Sequence, residues 1–220
     1  MKNIKILLIT ILLILNCVTR VIANEVEEST DFIWLQEEII NTVSLQSNKE
    51  PEFNSRYIVA FDRNSKKVIF GKKENQKVPM ASTTKIMTAI LAIESNRLDE
   101  EVIVGEEVLK MYGTSIYLSI GEKVTLKDLL YGLMLRSGND CAIAIAEHIS
   151  GSVENFSTLM NEKAFELGLF HSNFVTPHGL DNENHYTTAY DLALLTNYAL
   201  KNPDFKKIRL SISLVLPAKA

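Results

Sequence analysis

The strongest pattern in the chain is Ile86 to Ile93, where only Thr88 is polar, preceded by the turn Pro79-Met80-Ala81-Ser82-Thr83-Thr84-Lys85. A helix apolar on nearly all sides predicts burial in a core. Ahead of it, Arg56–Asp62 and Lys67–Gly71 are β-rich runs around Arg63-Asn64-Ser65-Lys66, which predicts a hairpin. Two strands alone are marginal, so the buried helix is expected to pack on one face of a sheet containing them. Asn96–Glu107 is polar and acidic, and Met111–Ser115 reads as a turn. Thr125 with Asp128 resembles a capping box for a helix through Leu135 that stops at Arg136-Ser137-Gly138-Asn139-Asp140. A helix from Cys141 to Ile149 ends by Gly151. Ser152 can cap another, with Val153, Phe156, Met160, Ala164 and Leu167 in register and Gly168 as its terminator. After a loop containing Thr176-Pro177-His178-Gly179-Leu180-Asp181, Thr188 and Asp191 frame a last helix ending at Asn202-Pro203. The expectation is an α/β fold: an antiparallel sheet with packed helices and a helical lobe over about 96–200.

The N-terminal pattern is different. Lys2 and Lys5 precede the apolar run Ile6–Leu15, and Val21-Ile22-Ala23 places a small residue before Asn24, so residues 1–23 read as a secretory signal peptide. The apolar run is short of the roughly 20 residues of a spanning helix, the alternative being a retained anchor. Residues 24–53 read as a linker or one amphipathic helix, with Phe32, Ile33, Ile39, Ile40 and Val43 as its apolar positions. A location outside the cytoplasm, secreted or at the membrane surface, is expected from the leader. Removal of residues 1–23 leaves Cys141 as the only cysteine, so no internal disulfide is expected.

Composition removes some function classes. The 220 residues carry a formal net charge of -4 with no long basic run, so no nucleic-acid partner is expected. Cys141 and His148 lie seven residues apart on one helix, about 10 Å, too far for proton transfer, and Cys141 reads as a small buried hydrophobe. His171, His178 and His185 lack the close spacing of helical zinc ligands, so no metal or other cofactor is expected.

Two constellations remain. Lys85 follows Ser82 by three residues, so if Ser82 begins the helix the amine shares the hydroxyl's face and can take its proton. Burial beside Ile86 and Met87 lowers the pKa of Lys85 and favours the neutral amine. The plain alternative is a capping serine and a solvated lysine. A Ser-x-x-Lys is expected about once by accident in a chain of this length, so context must decide. Ser137 and Asn139 form the second constellation, a hydroxyl and an amide in a tight turn between helices, where such residues also occur for conformational reasons alone.

In this order, with the blocks Ala81–Ala89, Leu129–Asp140, Phe174–Leu180 and Tyr186–Leu192, the chain resembles the serine D-alanyl-D-alanine carboxypeptidases, the low-molecular-weight penicillin-binding proteins, over roughly Tyr57 to Phe205. The resemblance implies a β-lactamase/transpeptidase-like fold. It also implies a peptidoglycan stem peptide ending in D-Ala-D-Ala as substrate, and acylation by β-lactam antibiotics. On the same basis Ser82 is the nucleophile, Lys85 takes its proton, Ser137 relays a proton to the leaving amine, and Asn139 hydrogen-bonds the substrate's amide backbone. The backbone N–H of Ser82 supplies one oxyanion donor. No Lys-Thr-Gly occurs after the helix ending near Asn202, where the family carries its third motif on a sheet strand. The expectation is therefore a partial domain over 54–220, missing the C-terminal strands and the segment through which relatives associate with the membrane surface. Whether this chain is catalytically competent stays open. The alternatives are a non-catalytic peptidoglycan- or penicillin-binding fragment and a class A β-lactamase. Against the latter stand Gly138, where those enzymes usually have Asp, and the block Pro177-His178-Gly179-Leu180.

Overall fold

A computed structural model describes residues 53–180 and 182–211. The signal peptide expected over 1–23 and the linker or amphipathic helix expected from residue 24 lie outside the described residues. Strands β1 (Ile58–Phe61) and β2 (Val68–Lys72) form the expected antiparallel hairpin, with Ile58 opposite Lys72 and Ala60 opposite Phe70. Its turn is closed by Asp62, whose carboxylate accepts the backbone N–H groups of Asn64 and Ser65 at 3.1 and 2.6 Å.

The apolar run becomes helix α1 (Lys85–Glu94). It starts later than the sequence pattern suggests, because Ala81–Thr84 winds into a 3-10 turn before the α-helix begins. Helices α2 (Leu126–Arg136), α3 (Asn139–Ser150), α4 (Val153–Glu166), α5 (Ala189–Ala199) and α6 (Pro203–Leu210) all pack against α1. The hairpin leans instead on α5. An all-round apolar helix needs cover on every side, and among the described residues five helices supply most of it. Met87 and Ile90 of α1, Leu130 of α2, Ile145 of α3 and Phe156 of α4 are completely or almost completely buried in this common core.

Local capping sets the helix boundaries. Thr125 and Asp128 form the reciprocal capping box of α2, while Ser152 and Thr188 cap α4 and α5 through the N–H groups of Asn155 and Asp191. Helix α3 begins at Asn139, two residues earlier than expected, which brings the site turn into its first turn. Helix α6 is an addition: Asn202 caps it and Pro203 occupies its first turn, so the dipeptide read as an ending is also a beginning. The supposed helical lobe also contains a small antiparallel pair, β3 (Glu101–Ile103) and β4 (Lys123–Thr125), with Val102 as its buried residue.

Candidate active site

The turn that carries Ser82 is held in an unusual backbone conformation. Ala81 has φ of 46°, in the left-handed region that costs a residue with a Cβ, and such strain concentrates at functional sites. The 3-10 turn that follows leaves Ser82 exposed and sends Lys85, three residues on, into the interior, where it is 3% exposed. The Lys85 Nζ nevertheless lies 3.2 Å from Ser82 Oγ. The expected hydroxyl–amine pair is thus formed, with the hydroxyl at the surface and the amine beneath it. Ser82 does not act as a helix cap.

Two further acceptors surround the amine. Asn139 Oδ1 lies 2.8 Å from Lys85 Nζ, and the backbone carbonyl of His178 lies 2.9 Å from it. An ammonium donates to all three oxygens. After losing one proton, the amine keeps two N–H bonds for Asn139 and His178 and presents its lone pair to the Ser82 hydroxyl. Burial pushes the Lys85 amine down from its usual 10.5 to about 8, so the neutral form is accessible close to neutral pH.

Ser137 and Asn139 reach this point from the α2–α3 junction. Ser137 ends α2 in the left-handed conformation, φ 57° and ψ 32°, and its Oγ lies 3.2 Å from Ser82 Oγ. Asn139, in the first turn of α3, is buried with both ends of its amide engaged: Oδ1 accepts from Lys85, and Nδ2 donates to the Tyr112 carbonyl at 2.7 Å. Each end of the amide has a second hydrogen-bonding direction beyond the one used here. All four residues singled out in the sequence converge on one point, Asn139 from the side of Lys85.

Sequence reasoning missed what holds the four together. Asp140 is buried and accepts from Ser115 Oγ at 2.6 Å and from the N–H groups of Leu118 and Ile116, pinning the loop that carries Tyr112. Burial raises its pKa, but these hydrogen bonds together with that of the Cys141 N–H outweigh it, and the carboxyl sits below its usual 3.8. On the other side, the 175–180 loop presses on the Ala81–Thr84 turn. Thr88 Oγ1 donates to the Pro177 carbonyl at 2.6 Å, and Gly179, at φ 87°, approaches Ala81 so closely that an added Cβ would lie 1.9 Å from the Ala81 carbonyl oxygen. His178 and His185 are both buried in this region, each with Nδ1 accepting backbone N–H, from Leu180 and from Val175 and Thr176 respectively. His171 is exposed, unlike the other two. Cys141 is fully buried, and burial followed by the charge of Asp140 pushes its thiol well above its usual range.

Comparison with known proteins gives consistent matches. A family model described as D-alanyl-D-alanine carboxypeptidase, peptidase S11, matches residues 44–213. The D-alanyl-D-alanine carboxypeptidase DacF of Bacillus subtilis is 40% identical over 154 residues, covering 68% of this chain and 40% of the relative. DacC of Escherichia coli is 36% identical over 161 residues, with the same shares of 68% and 40%. Among solved structures, DacD from Francisella tularensis superposes with a TM-score of 0.70 at 32% identity, covering 74% of this chain and 41% of that one. Penicillin binding protein 5 from Haemophilus influenzae gives 0.69 at 32% identity, covering 74% and 50%. The likeness carries the transpeptidase-like fold, and the chain spans about 40% of the length of the curated relatives it matches.

Proposed function

Since the chain belongs to the D-alanyl-D-alanine carboxypeptidase family, we propose that Ser82 attacks the carbonyl carbon joining the two terminal D-alanines of a peptidoglycan stem peptide. The observation that carries this reading is the buried Lys85 amine 3.2 Å from an exposed Ser82 hydroxyl, with its other two N–H directions taken up by Asn139 and His178. Neutral Lys85 takes the Ser82 proton as the Oγ–C bond forms. The tetrahedral intermediate then breaks its C–N bond, and the departing D-alanine amine receives a proton passed from Lys85 through the Ser137 hydroxyl. Water adds to the resulting ester, giving its proton to Lys85, and the Ser82 oxygen leaves with a proton. Atoms balance as one water consumed and one D-alanine released. Asn139 holds Lys85 in register and meets the substrate's amide backbone with the remaining hydrogen-bonding capacity of its side-chain amide.

A β-lactam acylates Ser82 by the same first step, with the strained ring amide as the bond broken. The leader read at residues 1–23 takes the domain across the cytoplasmic membrane to its substrate. The test is mass spectrometry of the folded chain after incubation with benzylpenicillin. A single adduct of penicillin mass on the peptide containing Ser82, absent in Ser82→Ala, is the expected result. A folded chain without that adduct overturns the acylation reading and leaves the non-covalent, peptidoglycan-binding one.

A further inference from the structure

His185 takes no part in the chemistry above, yet it spans the two walls of the Lys85 site. Its ring is 3% exposed and meets Phe174 edge-on, with centroids 6.0 Å apart. Nδ1 accepts from the Val175 N–H at 2.9 Å and the Thr176 N–H at 3.3 Å, so it carries no proton. The ring proton therefore sits on Nε2, which lies 2.7 Å from Thr84 Oγ1 and donates to it. One neutral tautomer satisfies every contact, and a second proton would set an N–H against two backbone N–H groups.

Both ends of this bridge are adjacent to the base. Thr84 immediately precedes Lys85 and occupies the helix N-cap position, yet its hydroxyl makes no cap and turns to His185 instead. Val175 and Thr176 open the loop whose Pro177 and His178 carbonyls bond Thr88 Oγ1 and Lys85 Nζ. The ionisable neighbours of this arrangement are Lys85 on α1 and His178 in the loop. Burial, joined at His178 by the Lys85 charge, holds His178 and His185 each at about 4, so both rings are neutral when Lys85 titrates.

We propose that His185 is a positioning residue for Lys85: its neutral imidazole fastens the Val175–Gly179 loop to the nucleophile turn at Thr84, and so keeps the Lys85 amine out of water and aimed at Ser82. The catalytic consequence rests on the acylation reading above, whereas the tether itself is independent of it. If the bridge is cut, the loop lifts, water reaches the amine, and Lys85 titrates closer to an ordinary lysine.

Two substitutions cut opposite halves. His185→Asn can place an amide oxygen near the Nδ1 position but does not reach Thr84, while His185→Gln can reach Thr84 but gives up the Nδ1 acceptor. The experiment follows the Lys85 ε-carbon by 13C NMR titration in the full chain, assigned with Lys85→Arg, together with thermal melting and the rate of penicillin acylation. In both variants the Lys85 midpoint is expected to rise by about one pH unit or more. Acylation near pH 7 is expected to fall about ten-fold or more, since each unit removes a factor of ten in neutral amine. A wild-type midpoint in both variants, with only the melting temperature lowered, overturns the proposal. Should the His185 variants fail to fold, Thr84→Val removes the other end of the bridge with little change of shape, and an unshifted Lys85 there overturns it equally. A wild-type chain with a low Lys85 midpoint and no penicillin adduct defeats the acylation reading alone.

Discussion

Asn139 Oδ1 and Lys85 Nζ stand 2.8 Å apart, across 54 residues of sequence, and this bond joins the two motifs into one site. It makes the side-chain amide of the second motif an acceptor for the lysine of the first. Both groups are buried, so the bond is shielded from water and the Lys85 amine cannot swing away from Ser82 without leaving an amide oxygen unpaired.

The first prediction concerns pH. In the proposed mechanism acylation requires neutral Lys85, and burial lowers that amine to about 8. The rate of β-lactam acylation is therefore expected to climb about ten-fold per pH unit below that value and to level off above it. Rapid-quench measurements from pH 6 to 10 give the profile. The sign for stability follows from the same shift. The folded state binds this proton less tightly than the unfolded chain, so Lys85 opposes folding below about 8, and its opposition fades as pH rises toward the unfolded value of 10.5. Lys85→Ala should abolish acylation.

Asp140 supplies the second prediction. Its carboxylate gathers Ser115, Ile116 and Leu118 onto the start of α3, and Asp140→Ala is expected to destabilise the fold by about 3 kcal/mol at pH 7 through the loss of charge-assisted bonds to buried N–H groups. The folded carboxyl sits below its usual 3.8, so this stabilisation is present above that value and is lost as pH falls through the lower folded one. Urea unfolding of wild type and variant at pH 7 and below pH 3 checks it. The gap between the two should narrow in acid.

The local elements were legible because their signals are local. The capping box at Thr125 and Asp128, the caps at Ser152 and Thr188, and the hairpin around Asn64 each depend on residues a few positions apart. The Ser82–Lys85 pair belongs to the same class, since one tight turn brings the hydroxyl and the amine together. Helix α6 had a readable signal in Asn202-Pro203-Asp204, a capping residue followed by a first-turn proline, overlooked because a proline also ends helices. Strands β3 and β4 had almost none: three residues each leave no room for a period to appear. The bridge from His185 to Thr84 spans 101 residues, and no spacing rule connects them.

The third prediction tests the contact between the 175–180 loop and the Ala81–Thr84 turn. Gly179→Ala would bring a Cβ 1.9 Å from the Ala81 carbonyl oxygen and 2.6 Å from Thr84 Oγ1, at a φ of 87° that disfavours any side chain. The first clash is with backbone, so no rotamer change relieves it. Destabilisation of about 3 kcal/mol or more is expected, with acylation lost in the fraction that folds, because the loop cannot seat His178 on Lys85. Thermal melting and penicillin labelling of the same sample separate the two effects.

The last prediction asks whether Cys141 fills space or does chemistry. Its thiol is buried and pushed above its usual range, so it should resist iodoacetamide in the folded chain and react on unfolding in urea. Its packing role is visible at Gly132, where an added Cβ would lie 2.6 Å from Cys141 Sγ and 3.0 Å from Ile116 Cδ1. Gly132→Ala alone is expected to destabilise by about 1–3 kcal/mol through overpacking, offset in part by the better helix propensity of alanine. Cys141→Ala alone opens a small void. Combined, the added methyl can occupy space vacated by the sulfur, so the pair should cost less than the sum of the single changes, with a coupling of about 1 kcal/mol. Simple additivity in urea denaturation would mean that the Ile116 contact, not the sulfur, decides the fit at Gly132.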